Sequence, residues 1–472
     1  MIRLQTSRAV ASALCFLFGA LYSHAVSAQT PQNTTLTFEY DLEGNVKKVT
    51  NALAHVTTYN YDNLYRRTSE TDAKNGITRY KYDGLDQLTE VKDARLKVTT
   101  YSVNGHGNLI QTVSGDTGTT DATYDEVGNM LTSIDAKQQR TAFKYDAINR
   151  VTLITYHDNS TVTYVYDQGP NAIGRQSQVT DASGTTQYAY DPLGRMTSET
   201  RTIAGAAYTT GYRFDSHGRL AGMTYPSGRS IDYVFDAMGR ISQVSTTKNG
   251  TATPLLTQVS YQPFGPVKSV TFGNGRTQAR EYDLDGRMAS FTLSAQTMAV
   301  TYDAASRIKG IVDAANPANG NTYDYDVLDR LTNVATPFSA QTYDYDAVGN
   351  RTQKVNNSTT TNYHYEGSGN RLTRIGSQHI PTDANGSITD KGNATFTYDV
   401  RGRMVAANTA IGLVRYTLNS AGQRVRKETP TESTVFHYDF GGKLIAESTT
   451  AGGNTSTQEY VFLGDMPVAV LK

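Results

Sequence analysis

The side chains that most often carry out chemistry in proteins are scattered along this sequence. It contains eight His and one Cys among 472 residues. No two His residues have the His-x-x-x-His spacing of a common zinc site. The Gly-x-Ser-x-Gly motif that exposes a nucleophilic Ser is also missing from the sequence. The sequence therefore offers no arrangement for zinc chemistry or for acyl transfer.

Two groups of Asp residues suggest other chemistry. Asp283-Leu284-Asp285-Gly286 resembles the start of a calcium-binding loop, but the twelfth position is Ser294, where such a loop needs an acidic ligand. Asp324 and Asp326 are close enough to suggest a general acid and a general base. They flank Tyr325 within a regular repeat, which explains them without catalysis. We therefore predict no metal, no cofactor and no catalytic residue, and that the chain is not an enzyme.

That repeat, with the pattern Tyr-Asp-x-x-Gly-(Arg/Asn/Lys)-apolar, runs from end to end. The first seven copies are 21 residues apart, and most later steps are 20 to 24 residues. The 20 copies begin at Tyr40, Tyr61, Tyr82, Val103, Tyr124, Tyr145, Tyr166, Tyr190, Phe214, Phe235, Tyr261, Tyr282, Tyr302, Tyr325, Tyr345, Tyr365, Thr382, Tyr398, Leu418 and Tyr438. We call these first residues anchors. A fixed period of this kind indicates a repeat architecture.

Each position of the repeat has a physical role in a β-hairpin. Aromatic residues recur two positions before the anchor, as in Tyr188 and Tyr190, and this alternation is typical of one face of a strand. Asp suits the first position of a tight turn, because its carboxylate can bond backbone amides two residues on. Gly supplies the positive φ that a bulged hairpin turn needs. We expect these roles at six representative turns, formed by Tyr40, Asp41 and Gly44; Tyr124, Asp125 and Gly128; Tyr190, Asp191, Gly194 and Arg195; Phe235, Asp236, Gly239 and Arg240; Tyr345, Asp346 and Gly349; and Tyr398, Asp399, Gly402 and Arg403.

The predicted fold class is all-β, with tandem hairpins of about 21 residues forming a wound antiparallel sheet. A lone hairpin is marginally stable, so hairpins in series must cover one another's edges. We expect Tyr to stack on Tyr between copies, and Arg or Lys after the Gly to lie near turn Asp residues. The register is weakest at 170–174 and 251–266, where we predict longer surface loops or, as the alternative, a boundary between subdomains.

Composition and charge narrow the classes of partner. The sequence has 32 Tyr, 40 Gly and no Trp, which suits a thin core better than several thick ones. Its formal net charge is zero, so there is no general electrostatic case for binding nucleic acid or an anionic membrane.

The first 28 residues have the order of a secretory signal peptide. Arg3 and Arg8 precede an apolar stretch at 10–21, and Val26-Ser27-Ala28 offers small residues for cleavage before Gln29. A membrane anchor is the alternative, but a span needs about 20 apolar residues. We predict a signal peptide at 1–28, a short lead at 29–37 and a repeat domain at 38–472. The protein would then be secreted, periplasmic or on the cell surface, with no transmembrane segment after signal removal.

The repeat resembles the YD repeat of bacterial Rhs (rearrangement hot spot) proteins, wall-associated proteins, Tc-toxin shell subunits and teneurins. Residues 190–196 and 345–351, YDPLGRM and YDAVGNR, carry the resemblance most clearly, and it extends over about residues 36–445. It implies a β-sheet strip that spirals around a hollow interior. Residues 459–469 resemble the segment that leads into the core of Rhs proteins, where a His-rich motif, a self-cleavage site and a toxic domain follow. This sequence ends at Lys472, so we expect an orphan fragment, the product of a truncated gene, or a shell section completed by another polypeptide.

Two functions fit these observations. The first is an exported, non-catalytic scaffold or partial shell of an Rhs-type polymorphic toxin or cell-surface protein, with a toxin or a shell-completing polypeptide as its partner. The alternative is an extracellular carbohydrate-binding or adhesion module, whose exposed Tyr and Arg residues would bind cell-surface glycans. The position of the Tyr rings discriminates between them. Buried, stacked rows of Tyr rings favour the shell, and an exposed row of aromatic rings in a groove favours glycan binding.

Overall fold

The computed structural model of the protein describes residues 35–263 and 265–472, and these residues form β-strands and turns without any helix. No helix that could cross a membrane occurs in this part of the chain. The signal peptide predicted at 1–28 lies outside the described residues. The first strand begins at Thr37, one residue before the predicted start of the repeat domain.

Forty-two strands follow one another along the described chain. The first fourteen are β1 Thr37–Tyr40, β2 Val46–Thr50, β3 Val56–Tyr61, β4 Arg67–Thr71, β5 Ile77–Tyr82, β6 Leu88–Lys92, β7 Val98–Val103, β8 Leu109–Ser114, β9 Gly118–Tyr124, β10 Met130–Ile134, β11 Arg140–Tyr145, β12 Val151–Thr155, β13 Thr161–Tyr166 and β14 Gln176–Asp181. The next fourteen are β15 Gly184–Tyr190, β16 Met196–Ile203, β17 Ala206–Phe214, β18 Leu220–Thr224, β19 Ser230–Phe235, β20 Ile241–Lys248, β21 Thr251–Tyr261, β22 Val267–Phe272, β23 Thr277–Tyr282, β24 Met288–Leu293, β25 Gln296–Tyr302, β26 Ile308–Asp313, β27 Gly320–Tyr325 and β28 Leu331–Ala335. The last fourteen are β29 Ala340–Tyr345, β30 Arg351–Asn356, β31 Thr359–Tyr365, β32 Leu372–Ile375, β33 Gln378–His379, β34 Asp390–Lys391, β35 Ala394–Tyr398, β36 Met404–Thr409, β37 Gly412–Leu418, β38 Arg424–Glu428, β39 Glu432–Tyr438, β40 Leu444–Ala451, β41 Asn454–Leu463 and β42 Met466–Leu471.

The strands form a continuous antiparallel meander. Strands β1–β33 make one sheet in which each strand pairs with the next, and β34–β42 make a second sheet of nine. An isolated bridge between Thr382 and Ile388 lies between the two sheets. The register shifts by one residue beside the anchor in nearly every hairpin, as it does between Ala189 and Tyr190. The predicted all-β fold of tandem antiparallel hairpins is confirmed.

The two irregular segments differ from each other. Residues 167–175 form a longer turn, closed by a hydrogen bond from the Asp167 amide to the Arg175 carbonyl. In the other segment the prediction of a loop was wrong, because Thr251–Tyr261 is the eleven-residue strand β21. Pro254 fits there because the register of β21 shifts against β20 next to it. Leu256 in the same strand is buried, and this burial favours the strand over a loop.

The sheet winds back on itself. Every hairpin has an anchor turn, which follows the anchor residue, and the opposite end of the hairpin carries what we call a far turn. Far turns at 72–229 contact a later part of the chain, at anchor turns from Asp326 to Ser420 and at Glu459 in strand β41, with partners 230 to 277 residues apart. We call the two stretches the first winding (residues 37–248) and the second winding (residues 251–471), and their line of contact the seam. The order of contacts along the seam follows the order of the chain, as a spiral strip requires.

The main hydrophobic core lies between the two windings. Ile231, Val244 and Met223 of the first winding are buried together with Ile445 and Val461 of the second. Elsewhere most side chains are only half-buried, in keeping with a wall one sheet thick.

Candidate functional site: the anchor turns and the seam

The turn after Tyr190 shows how an anchor turn is built. The Asp191 side chain accepts hydrogen bonds from the amides of Leu193 and Arg195, both at 2.9 Å. Its second carboxylate oxygen accepts from Arg195 Nε at 2.6 Å. The Gly194 amide donates to the Asp191 carbonyl, and Gly194 has φ of 78°. One Asp therefore satisfies three donors that would otherwise be left open at the end of the hairpin.

The other five turns singled out in the sequence have the same geometry. Their Asp side chains accept amide hydrogen bonds from the residues two and four positions on, and their Gly residues have positive φ. These residues are Asp41 with Gly44 (91°), Asp125 with Gly128 (89°), Asp236 with Gly239 (80°), Asp346 with Gly349 (92°) and Asp399 with Gly402 (70°). The side chains of Arg240 and Arg403 bond back to Asp236 and Asp399, as Arg195 does to Asp191.

Several turns reach the same conformation without Gly. Asp86, Asn149 and Asp329 occupy the Gly position with φ of 64°, 64° and 62°. Asn and Asp tolerate this region better than other residues with side chains. Tyr65 and Ser306 also adopt it, with φ of 63° and 64°.

The anchor Tyr joins each hairpin to the one before it. The Tyr190 hydroxyl donates to the Gln176 carbonyl at 2.7 Å. Thirteen further anchors make the equivalent bond, at 2.7 to 3.0 Å: Tyr61, Tyr82, Tyr124, Tyr145, Tyr166, Tyr261, Tyr282, Tyr302, Tyr325, Tyr345, Tyr365, Tyr398 and Tyr438. The hydroxyl is thus used to satisfy a backbone carbonyl of the neighbouring copy.

The anchor rings alternate with guanidinium groups. Arg195 lies over the Phe214 ring at 4.7 Å, Arg219 over Phe235 at 4.0 Å, and Arg330 over Tyr345 at 4.9 Å. In each pair the Arg belongs to one copy and the ring to the next. This differs from the expected stacking of Tyr on Tyr, because the Arg that is held by its own turn Asp reaches across the gap between copies.

Replacing Tyr190 with Phe is expected to destabilise the protein by about 1 kcal/mol, because the Gln176 carbonyl loses its donor. Denaturant unfolding monitored by fluorescence or circular dichroism measures the effect. Tyr40→Phe is the matched control, because Tyr40 is exposed and no described hairpin precedes it. Equal losses in the two variants would contradict the role assigned to the hydroxyl.

Gly239→Val is expected to cost about 1–3 kcal/mol, because a β-branched residue fits poorly at φ of 80°. A Cβ there would also lie 3.1 Å from Arg219 Nη1. The control is Gly84→Val, since Gly84 sits in another anchor turn with no positive φ and with open space around it. Limited proteolysis should show faster cleavage near residues 225–260 in the Gly239 variant only.

The seam is lined with charges that pair across the two windings. The pairs and hydrogen bonds are Lys74 with Asp326 (3.0 Å), Arg95 with Asp346 (3.3 Å), Lys137 with Asp383 (3.3 Å), Asn370 with Asp93 (3.0 Å) and Asn385 with Asp135 (2.7 Å). Asp326 also binds Arg330 of its own turn. Although partial burial opposes ionisation, the hydrogen bonds from Arg330 and Lys74 lower the pKa of Asp326 to about 2.

The most deeply buried part of the seam contains an ion pair and a neutral His. Arg229 and Ser227 of the first winding both bond the Glu459 carboxylate, and Glu459 is 2% exposed. His437 packs its ring 4.7 Å from the Tyr208 ring. Burial, together with the positive charge of Arg201, lowers the pKa of His437 to about 4.

Acid is expected to weaken this part of the seam. The folded pKa of His437 lies below its ordinary value of 6.5, so the unfolded chain takes up the proton first as the pH falls. Stability should therefore fall between pH 6.5 and 4, by up to about 3 kcal/mol. Thermal unfolding across this range should be flatter for His437→Asn than for the wild type. His217→Asn, at an exposed turn position, is the control, and parallel curves for wild type and His437→Asn would contradict the assignment.

Sequence reasoning found the anchor turns and missed the seam. Lys74, Arg95 and Lys137 look in the sequence like ordinary solvated turn residues. Their only signal is that four far turns of the first winding, at 72–76, 93–97, 135–139 and 225–229, contain Lys or Arg, whereas in the second winding the far turn at 273–276 contains Arg276 and the turns at 294–295, 337–338, 357–358, 410–411, 430–431 and 452–453 contain neither. Among the described residues, no group of three or more His, Cys, Asp or Glu could hold a metal ion.

Comparison with known proteins identifies the architecture. A family model described as Teneurin YD-shell matches residues 18–173 and 292–440, and one described as RHS Repeat matches residues 171–207 and 214–252. No protein of curated function matches the sequence.

Solved structures give the same picture at the level of the fold. A Tc holotoxin pore of Photorhabdus luminescens is 18% identical with a TM-score of 0.74, over 90% of this chain and 27% of that one. The TcdB2-TccC3 crystal structure is 18% identical with a TM-score of 0.78, over 90% of this chain and 28% of that one. The TcdB2-TccC3-Cdc42 structure is 18% identical with a TM-score of 0.76, over 90% and 27%. This chain thus spans about a quarter of the length of these structures.

The Teneurin YD-shell model matches more than half of the residues, on both windings. This chain belongs to the teneurin YD-shell family.

Proposed function

We propose that this protein is the wall of an exported shell that holds a toxin-type polypeptide, without catalysis of its own. The proposal rests on the observation that the side chains of the repeat make their contacts within the wall. Anchor hydroxyls bind backbone carbonyls, Arg groups cover anchor rings, and turn carboxylates bind amides. The hydroxyl, guanidinium and carboxylate groups of the repeat are therefore engaged in contacts that hold the wall together.

The comparisons support a partner of this class. The solved neighbours are Tc toxin complexes in which TcdB2 and TccC3 occur together. By analogy, the partner of this chain is a toxin or a shell-completing polypeptide. The glycan-binding alternative has less support, because the anchor hydroxyls and ring faces that would contact sugar are engaged within the wall.

Protease protection tests the shell function. An unfolded reporter peptide with many trypsin sites would be fused after Lys472, and the same reporter would be inserted at the exposed far turn 337–338 as the control. A shell wall should slow cleavage of the first reporter and leave the second one sensitive. Glu459→Ala, which removes the buried ion pair of the seam, should abolish the difference. Equal cleavage of both reporters in the wild type would argue against an enclosing role.

Export and the domain limits form part of the proposal. The basic, apolar and small-residue order of residues 1–28 supports a cleaved signal, with the repeat domain at 38–472. Protein expressed with this segment should leave the cytoplasm and begin at Gln29. N-terminal sequencing that finds Met1 on exported material would contradict cleavage.

A further inference from the structure

A row of large apolar side chains stands exposed along the anchor turns of the first winding. These residues occupy the position before the turn Gly or its equivalent. They are Leu64 (61% exposed), Leu85 (68%), Val127 (72%), Ile148 (68%), Leu193 (74%) and Met238 (69%). Successive anchor turns are two strands apart, roughly 10 Å. Glu43, His106 and His217 interrupt the row at the same position, and the six apolar residues that remain on one edge favour an interaction site there.

Where the same position carries a large apolar residue in the second winding, that residue is less exposed. Leu328 is half-buried and Val348 is only 37% exposed. Their turns lie at the seam, where Asp326 and Asp346 pair with Lys74 and Arg95. Within one molecule, the anchor turns of the second winding therefore dock onto the far turns of the first winding.

The far turns of the second winding correspond to the far turns that the first winding uses in the seam, but they stand exposed. They are exposed at Phe338 (93%) and Ile411 (74%). The first of them, at 273–276, carries Arg276, but those at 294–295, 314–319, 337–338, 357–358, 376–377, 392–393, 410–411, 430–431 and 452–453 contain no Lys or Arg. From residue 294 onward these turns therefore lack the cations that the seam uses, and they offer an uncharged surface, with apolar side chains at Phe338 and Ile411, to an apolar row.

From this we infer that the protein associates head to tail with a second copy of itself. The anchor turns of one copy's first winding dock onto the far turns of the other copy's second winding, and this continues the seam across the molecular boundary. Such a contact joins two different surfaces, so each copy keeps one free edge and longer assemblies can grow. The inference does not depend on what the shell holds.

The test uses two edge variants of the whole protein. The anchor-edge variant carries Leu85→Glu, Ile148→Glu and Leu193→Glu, and the far-edge variant carries Phe338→Glu and Ile411→Glu. The control is Val234→Glu, a similar change at an exposed position within strand β19 and not in a turn. Circular dichroism and hydrogen exchange at the seam confirm that each variant is folded. Analytical ultracentrifugation over a series of concentrations measures the mass.

The wild type and Val234→Glu are expected to grow in mass with concentration, and each edge variant should stay monomeric. A mixture of the two edge variants should form a dimer and stop there, because only one complementary pair of edges remains. A monomeric wild type at the highest concentration overturns the proposal, as does a mixture that stays monomeric. Self-association of the far-edge variant alone would also overturn it, since the contact would then join two anchor rows.

Discussion

Replacing Glu459 with Ala is expected to destabilise the protein by about 3–5 kcal/mol, because it breaks a buried ion pair. Glu459 and Arg229 form an ion pair across the seam with side chains 3% and 8% exposed. Removing the carboxylate leaves the guanidinium buried without its partner, and Ser227 loses its acceptor as well. Denaturant unfolding gives the free energy directly.

The control for this variant is Glu126→Ala, because Glu126 is exposed in an anchor turn of the first winding. It should change stability by less than about 0.5 kcal/mol. A double-mutant cycle with Arg229→Ala then measures the coupling between the two charges. If Glu459→Ala and Glu126→Ala were equally harmless, the seam would not be held by this pair.

Ile231→Ala is expected to cost about 2–5 kcal/mol, because Ile231 is fully buried and its truncation leaves a cavity. The effect should reach beyond its own hairpin. Ile231 belongs to a cluster that includes Ile445 and Val461 of the second winding. Hydrogen exchange should therefore speed up in β40 and β41 as well as in β18–β20.

Ile173→Ala provides the comparison, since Ile173 is 74% exposed and should lose little stability. The spread of the Ile231 effect separates two kinds of repeat protein. In an open array each unit contacts chiefly its neighbours, so damage stays local. Faster exchange confined to β18–β20 would show that the two windings are energetically independent, contrary to the core observed between them.

The local structure of this protein could be predicted from its sequence. Asp191, Gly194 and Arg195 interact within five consecutive residues, so their types and spacing are enough to define the turn. The same reasoning predicted the strands before each anchor, because alternation reports which side chains share a face. It was wrong at Thr251–Tyr261, where the burial of Leu256 outweighs the presence of Pro254.

The contacts between repeats could not be predicted from the local sequence pattern alone. Tyr was expected to stack on Tyr, yet the structure places a guanidinium over each of several anchor rings. The reach of an Arg side chain across the gap depends on how the sheet twists between hairpins. Spacing along the chain does not encode that twist.

What the sequence alone determined is the hairpin, its turn chemistry and its repetition, because these depend on residues that are neighbours along the chain. Only the tertiary structure decided the seam. Its partners lie 230 to 277 residues apart, and that offset is set by how many hairpins complete one winding. Small twists summed over many strands fix this number, so whether Lys74 meets Asp326 or faces solvent is decided by the whole sheet and by no single repeat.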